Sequence, residues 1–595
     1  MRLLTLLAAL IAAPVAAQDY RDRLPQDEVI YFALPDRFAN GDPANDRGGL
    51  KGGPLQTGFD PTHKGFYQGG DLKGLIAKLP YLQGLGATAI WVGPIFKNKP
   101  VQGGPGQESA GYHGYWVTDF TQVDPHLGTN ADFKALVDAA HARGMKVYMD
   151  IITNHTADVI QYRGCPAGGC GYRTIADYPY QRRGGITGAA INPGFAGDAV
   201  QTAENFAKLT NPNFAYETFV PPAERNVKVP AWLNDPIYYH NRGNSTWVGE
   251  SVIYGDFVGL DDVYAEHPRV VAGMIDIFGD WIDRYGIDGF RIDTAKHVNP
   301  EFWQAFVPAM RARAKAKGIP NFHIFGEVMS EDLDPGYLAS FTRVDKYPAV
   351  LDFAFRTALM RSVAGTGGTD VFARLFAGDS LYEGGAAAAQ GLPTFTGNHD
   401  LGRFARFVRK GFPQANEEEV LARVQLAHAM VLLLRGVPTI YSGDEQGFAG
   451  DGGDQDARET LFASKVATYN DNRLVGTTRT TAVDNYAADH PLYRRIAELA
   501  KLRIATPALR RGRQLVRYAG DKPGLFAISR FDPENDREVL IAFNTGAQPL
   551  TQQVQVEARS DRFDSLLGTC AAIAKAPGSV TVTLPAFGAI VCAAR

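Results

Sequence analysis

The 595-residue chain reads as an α/β protein: a closed (β/α)8 TIM barrel with a lobe inserted after the third strand and an all-β sandwich at the C-terminus. Three observations predict this. Eight short apolar runs lie between Val29 and Glu445, most of them separated by helically patterned stretches, and strand–helix alternation of that count closes a parallel sheet into a barrel. The interval from His155 to about Gly255 is too long for one crossover helix and is rich in Gly, Pro, Asn and Tyr. After Thr506 the pattern changes to short alternating runs, the period of strands that bury one face.

In chain order, residues 1–17 read as a secretory signal. Arg2 is its charged start, Leu3 to Val15 its short apolar stretch, and Val15-Ala16-Ala17 a small-residue cleavage site. The run is short for a membrane span. A secreted or periplasmic location follows, with no membrane attachment once the signal is removed. Residues 18–154 and 256–505 are assigned to the barrel. Its strands are expected at Val29–Leu34, Ala87–Ile95, Met145–Asn154, Ile287–Asp293, His323–Val328, Ala349–Phe353, Leu392–Thr396 and Pro438–Tyr441. Helical patterning is clearest in Asn130–Arg143, Pro268–Tyr285, Pro300–Lys317 and Glu417–Arg435.

Residues 155–255 form the lobe, expected to overhang the barrel mouth because long ordered insertions are usually functional. Residues 506–595 form the tail domain, with runs at Leu525–Ser529, Val539–Phe543 and Val580–Leu584. The four cysteines make two local pairs, Cys165/Cys170 and Cys570/Cys592. Neither has a neighbouring Cys or His pair at zinc spacing, so in an oxidising compartment both are expected to be disulfides.

Hydrophobic residues make up 45% of the chain and aromatic residues 11%, enough for a large core with Tyr and Trp left over for a cleft. A net charge of −4 gives no basic footprint, which argues against nucleic acid and for a neutral, polyhydroxylated partner in an acidic cleft. The loop at Gly103–Gln107 does not open a helix after a strand, so it is no dinucleotide fingerprint.

Three acidic motifs close successive strand-like runs: GFRIDTAKH around Asp293, FGEV around Glu327 and FTGNHD ending at Asp400. Carboxylates at the ends of barrel strands converge on one point, and breaking an acetal bond needs such convergence. Arg291 and Asp293 are two apart on one strand and share a face. The cation is expected to lower the Asp293 pKa and keep it ionised. Crowding of Glu327 with Asp293 and Asp400 is expected to raise the pKa of one member, leaving a protonated acid beside an ionised base. Asp400 would then bind sugar hydroxyls and favour an oxocarbenium-like transition state.

These residues carry a resemblance. DIITNH at Asp150–His155, GFRIDTAKH at Gly289–His297, GEV at Gly326–Val328, TGNHD at Thr396–Asp400, GYHGYW at Gly111–Trp116 and GVPTIYSGDEQ at Gly436–Gln446 resemble the α-amylase family of glycoside hydrolases, family 13. The resemblance implies Asp293 as the nucleophile of a covalent glycosyl-enzyme, Glu327 as acid/base and Asp400 as transition-state stabiliser, with retention of configuration and carboxyls about 5–5.5 Å apart. It implies Arg291, His155 and His399 along the sugar subsite before the scissile bond, with Tyr115 stacked on that ring. His113, Asp454 and Arg458 help shape the same pocket, and Lys296 and His297 contact sugars beyond the cut.

The resemblance further implies calcium. One ion would lie between barrel and lobe on Asn154, Asp262 and the carbonyl of His297; the usual Pro before Asp262 is Asp261 here. A second candidate is the segment Asn40, Asp42, Asn45 and Asp46 with Gly69 and Asp71, where dense Asn/Asp oxygens and Gly turns suit a hard cation.

The leading expectation is a monomeric endo-acting α-1,4-glucan hydrolase acting on starch and maltodextrins. The alternative is a transglycosylase, or a maltooligosaccharide- or cyclodextrin-specialised hydrolase, of the same family. Cyclodextrin-forming relatives are expected to carry further β domains after the tail, and cyclodextrin-degrading ones an extra N-terminal domain. A non-catalytic carbohydrate-binding barrel would have lost one of the three carboxylates, and all three are present.

Overall fold

The computed structural model describes residues 19–165 and 170–595. The expected signal, residues 1–17, lies outside them. Eight parallel strands form one sheet: β1 Ile30–Ala33, β2 Ala89–Val92, β3 Lys146–Ile151, β4 Gly289–Ile292, β5 His323–Gly326, β6 Ala349–Val350, β7 Pro393–Thr394 and β8 Val437–Tyr441. Their order is β6-β5-β4-β3-β2-β1-β8-β7. The ends of this sheet meet at β6 and β7, where the Asp352 amide donates to the Pro393 carbonyl at 2.9 Å. This is the near-closed (β/α)8 barrel the sequence predicts. All but β8 are shorter than their apolar runs, which continue into the buried turns above and below the sheet.

The principal barrel helices are α1 Leu79–Leu85, α2 Asn130–His141, α3 Pro268–Tyr285, α4 Pro300–Ala316, α5 Pro335–Arg343, α6 Phe353–Ser362, α7 Glu417–Leu433 and α8 Pro491–Ala505. Local chemistry sets their ends. Thr129 and Asp132 form a reciprocal capping box at the start of α2. Helix α3 begins on Pro268 and stops at Gly286, whose φ of 67° only glycine adopts without strain. Three glutamates occupy the first turn of α7, where the helix dipole favours negative charge. Inside the barrel Trp91 stacks on Phe32 with ring centres 3.9 Å apart and meets Phe325 edge-on. That aromatic layer forms a floor beneath the strand ends.

Between Thr156 and Asp261 the chain leaves the barrel. The base of this lobe is an antiparallel pairing of His155–Thr156 with Asp261–Asp262, and a second pairing joins Gln161–Arg163 to Glu217–Phe219. Tyr180, Phe195, Phe206 and Phe214 give the lobe its own small core, and Cys165 is bonded to Cys170.

The tail is antiparallel. Strands β9 Arg513–Tyr518, β10 Leu525–Phe531, β11 Glu538–Asn544, β13 Phe563–Leu567 and β15 Ala589–Ala594 form one sheet in the order β9-β10-β11-β15-β13, while β12 Leu550–Gln555 pairs with β14 Ser579–Leu584. Strands β10 and β11 are buried along their whole length, for a period-two reason. Leu525, Ala527, Leu540 and Ala542 face the sandwich core, whereas Phe526, Ile528, Ile541 and Phe543 face the barrel. Cys570 and Cys592 are bonded, tying the last strand to the loop after β13. Among the described residues no helix is long and apolar enough to cross a membrane.

The Cys570–Cys592 link closes a loop with a sequence separation of 22. Replacing both cysteines by serine is therefore expected to destabilise the tail by about 3 kcal/mol through the unfolded chain's entropy. Denaturant unfolding of the double variant checks this, and an unchanged midpoint would contradict it.

Candidate active site

Two of the three acidic motifs end where their strands end. Asp293 directly follows β4 and Glu327 directly follows β5, so both carboxyls stand at the C-terminal mouth of the barrel. After Asp293 the backbone turns through Thr294, which has a φ of 48°, and the Thr294 amide donates to Glu327 Oε2 at 3.1 Å. Asp400 lies further along the loop after β7, and Gly453 packs so closely that a Cβ there would meet the Asp400 carbonyl at 2.2 Å.

Arg291 joins these parts. It is fully buried and lies opposite Asp150 in the β3–β4 register. Its Nη1 donates to Asp150 Oδ1 at 2.8 Å and to Asp293 Oδ1 at 2.8 Å, while Nη2 lies 2.8 Å from Glu327 Oε1 as an ion pair without hydrogen-bond alignment. One guanidinium thus holds three carboxyl groups. Asp150, whose motif DIITNH does not by itself announce a role for it, is further fixed by Trp91 Nε1 at 3.0 Å and faces the Tyr115 hydroxyl at 3.3 Å. Asp400 is held separately: Arg458 Nη2 donates to its Oδ1 at 3.0 Å, and His399 Nε2 is 3.3 Å from its Oδ2.

The expected lowering of the Asp293 pKa is corrected by the structure. Burial raises it to about 7; Arg291 opposes the rise, while Asp150 and Asp400 add to it. Burial likewise raises Glu327 to about 7, again against Arg291 and with help from Asp293 and Asp400. Neighbouring charge is legible in a sequence, whereas the desolvation that outweighs it is not. Because the two carboxyls repel across one cation, the proton between them belongs to the pair. The aligned Arg291 bond favours charge on Asp293, which leaves the proton on Glu327.

A cleft of about 680 Å³ covers these groups. Asp293, Glu327, Asp400, His113, Tyr115, His155, Lys296, His297, Asp454 and Arg458 all line it. Arg291 and His399 do not; they stand directly behind the wall, correcting the expectation that both line the subsite. His399 Nε2 meets the Tyr115 hydroxyl at 2.8 Å, and His113 Nδ1 accepts the Tyr115 amide at 3.1 Å, so both histidines orient the tyrosine. Burial drives His113, His155 and His399 far below the usual histidine pKa, leaving them neutral. Lys296 donates to the Met329 carbonyl, and His297 pairs with the Val252 carbonyl.

The lobe and loops add lining residues with no motif to announce them, chiefly Gln102, Trp247, Phe257, Val258 and Met329. Trp247 and Val258 are exposed although apolar, and have φ of 65° and 53°. Positive φ is rare for such side chains, and for a β-branched one it is a genuine outlier. Trp247 meets Phe257 and His297 edge-on.

The expected cation positions differ in fit. Among the described residues no three His, Cys, Asp or Glu side chains converge as a metal cluster, so Asn oxygens must contribute. In the N-terminal segment they are available. Asn40 Oδ1 and Asn45 Oδ1 are buried without partners, and Asn40 Nδ2 donates to Asp46 Oδ1 at 2.9 Å. Burial raises the Asp46 pKa, with Asp71 and Asp42 adding to it. A Cβ at Gly69 would strike Asn40 and Asp46, so this cradle requires glycine. These residues fit a hard cation.

Two residues of that set are otherwise engaged. Asp71 accepts the Gly41, Asp42 and Gly74 amides, and Asp42 pairs with Lys73. The barrel–lobe set of Asn154, Asp262 and His297 does not fit as it stands. Asp262 is paired with His240 Nδ1 at 2.6 Å, His240 Nε2 pairs with Glu266, and the Asn154 amide faces His155.

Comparison with known proteins agrees with this geometry. Residues 32–512 match the family model described as "Alpha amylase, catalytic domain". An α-amylase of Streptomyces lividans is 46% identical over 543 residues, which is 91% of this chain; the chain spans only 58% of that relative's length. The acarbose complex of an α-amylase from Geobacillus thermoleovorans superposes with a TM-score of 0.67 at 26% identity, covering 96% of this chain and 99% of the other. A cyclomaltodextrin glucanotransferase described as having three domains superposes with a TM-score of 0.68 at 27% identity, covering 95% and 99%. That relative overturns the expectation that extra β domains separate cyclodextrin-forming enzymes from amylases. On the extent of the matched segment and the identity to its relatives, the chain belongs to the α-amylase family of glycoside hydrolases.

Proposed function

We propose that the protein hydrolyses internal α-1,4-glucosidic bonds of starch and maltodextrins with retention of configuration. The observation that carries this is one guanidinium clamping two cleft-lining carboxyls, with a third acid held opposite by Arg458. In this reading Asp293 attacks the anomeric carbon as Glu327 gives its proton to the departing glycosidic oxygen. Glu327, now a base, takes a proton from water, whose oxygen displaces Asp293 and restores the starting state. Asp400 accepts sugar hydroxyls and stabilises the cationic transition state. Tyr115 presents its ring to the sugar, and neutral His113 and His155 offer hydrogen bonds without adding charge.

The complex of the Geobacillus relative with acarbose supports an α-glucan as the ligand. Transfer to a sugar acceptor is the second reading. It is favoured by the likeness to a glucanotransferase and by the apolar rim of Trp247 and Val258 near Lys296 and His297. Two disulfides support a compartment outside the reducing cytoplasm, as a signal at residues 1–17 would provide. We also assign a calcium ion to Asn40, Asn45 and Asp46. Its charge would tie the N-terminal segment to the turn at Gly69, and it takes no part in the chemistry.

Three outcomes follow. Asp293→Asn and Glu327→Gln each lower kcat on soluble starch by about 10⁴-fold while maltooligosaccharide binding persists; substantial residual turnover in either variant would remove the assigned roles. Glu327 has a folded-state pKa of about 7, above its ordinary 4.5. Stability is therefore lost as pH rises between those values. Glu327→Gln should accordingly be more stable than wild type at pH 8, by on the order of 2 kcal/mol, and lose that advantage at pH 4. Melting curves at both pH values check the sign. Finally, EDTA lowers the melting temperature of the wild type, and Asn45→Ala loses most of that response; an unchanged wild-type melt removes the ion.

A further inference from the structure

The junction between barrel and tail buries three guanidinium groups with unequal partners. Arg435, between α7 and β8, is neutralised by Asp352 and Asp379. Arg503 on α8 is fully buried and donates only to carbonyls, among them those of Leu434 and Gly436 on either side of Arg435. Its Nε has no partner. Arg530 on β10 is equally buried. Its Nε donates to the Gly512 carbonyl at 3.0 Å, but Nη1 and Nη2 have no acceptor.

Gln514 lies directly opposite Arg530 in the β9–β10 register, so the two side chains share a face. Its Oε1 accepts the Arg435 amide at 3.0 Å, and its Nε2 is left unpaired. Arg503, Gln514 and Arg530 therefore gather about the turn at residues 434–436. The carboxylates that act on the two arginines from further away are already hydrogen-bonded elsewhere, Asp27 to Arg511 and Asp379 to Arg435.

A buried donor without an acceptor carries the full cost of its desolvation, and a buried cation without counter-charge costs more. Burial and the neighbouring Arg435 lower the Arg530 pKa to about 9, and burial followed by repulsion from Arg530 depresses that of Arg503. Four orphan nitrogens, all donors and two of them on one cation, call for a ligand that only accepts and is negatively charged. Both arginines are sealed from solvent, which restricts the ligand to a compact one.

We propose that this junction binds a small monovalent inorganic anion of about chloride size, held by Nη1 and Nη2 of Arg530 with Gln514 Nε2 and Arg503 Nε completing its shell. The site is separate from the cleft and does not depend on the function proposed for it. It joins a tail strand to the barrel's last turn and last helix, so the anion favours docking of the tail onto the barrel. Bound only by the folded protein, it raises the melting temperature with concentration.

Crystals of the full chain soaked in sodium bromide test this. An anomalous peak within hydrogen-bond distance of the Arg530 Nη atoms is expected; a peak without anomalous signal, or none, overturns the proposal. In solution the wild type should melt a few degrees higher in sodium chloride than in sodium gluconate of equal ionic strength. Equal melting in the two salts also overturns it. Arg530→Met, which removes the charge at similar length, should abolish the difference. Gln514→Leu keeps both cations and gives a second reading if that variant does not fold: its half-maximal chloride concentration should rise about tenfold. An unaltered chloride response in both variants counts against the site.

Discussion

The meeting of the two central carboxyls depends on one buried cation. Arg291 has no exposed surface, yet it meets Asp150, Asp293 and Glu327. Its charge makes it possible to place carboxyls from adjacent strands at one point in a poorly solvated pocket. Without it their mutual repulsion would push them apart or force more than one to be protonated. Asp150 balances the cation from beneath and is itself tied to Trp91 in the aromatic floor. The barrel therefore supplies more than a platform: parallel register brings Asp150 opposite Arg291, and strand ends set Asp293 and Glu327 above them.

The barrel was legible because its strands are buried on both faces and so appear as uninterrupted apolar runs between amphipathic helices. The acidic motifs were legible for a related reason, since a carboxylate closing such a run must emerge at the strand end. The tail strands β10 and β11 were visible as apolar runs, but their double burial was not. It arises because the barrel covers the outer face of the sheet, a tertiary contact that alternation alone does not reveal. The direction of the Asp293 shift is hidden from the sequence for the same kind of reason. Arg291 two residues away is written in the chain, whereas enclosure by residues far along it is not.

Residues that line the cleft from irregular segments were the least accessible. Trp247 and Val258 occupy no motif, and their function as rim depends on how the lobe folds back over the mouth. The cation positions show both sides of this limit. Asn40 and Asn45 stand ready because their oxygens are buried and unpaired, a property of packing. Asp262 has the right chemistry and sequence context, yet His240, distant from it in the chain, meets its carboxylate.

The left-handed backbone at Trp247 and Val258 places the cleft and the fold in competition. Holding a tryptophan and a valine in that region costs about 1–3 kcal/mol each, a conformation in which glycine would be at ease. Selection of random variants for heat tolerance alone should therefore drift toward glycine at these two positions, eroding the rim while leaving the carboxyls intact. Returning the bulky pair would restore the rim together with its strain.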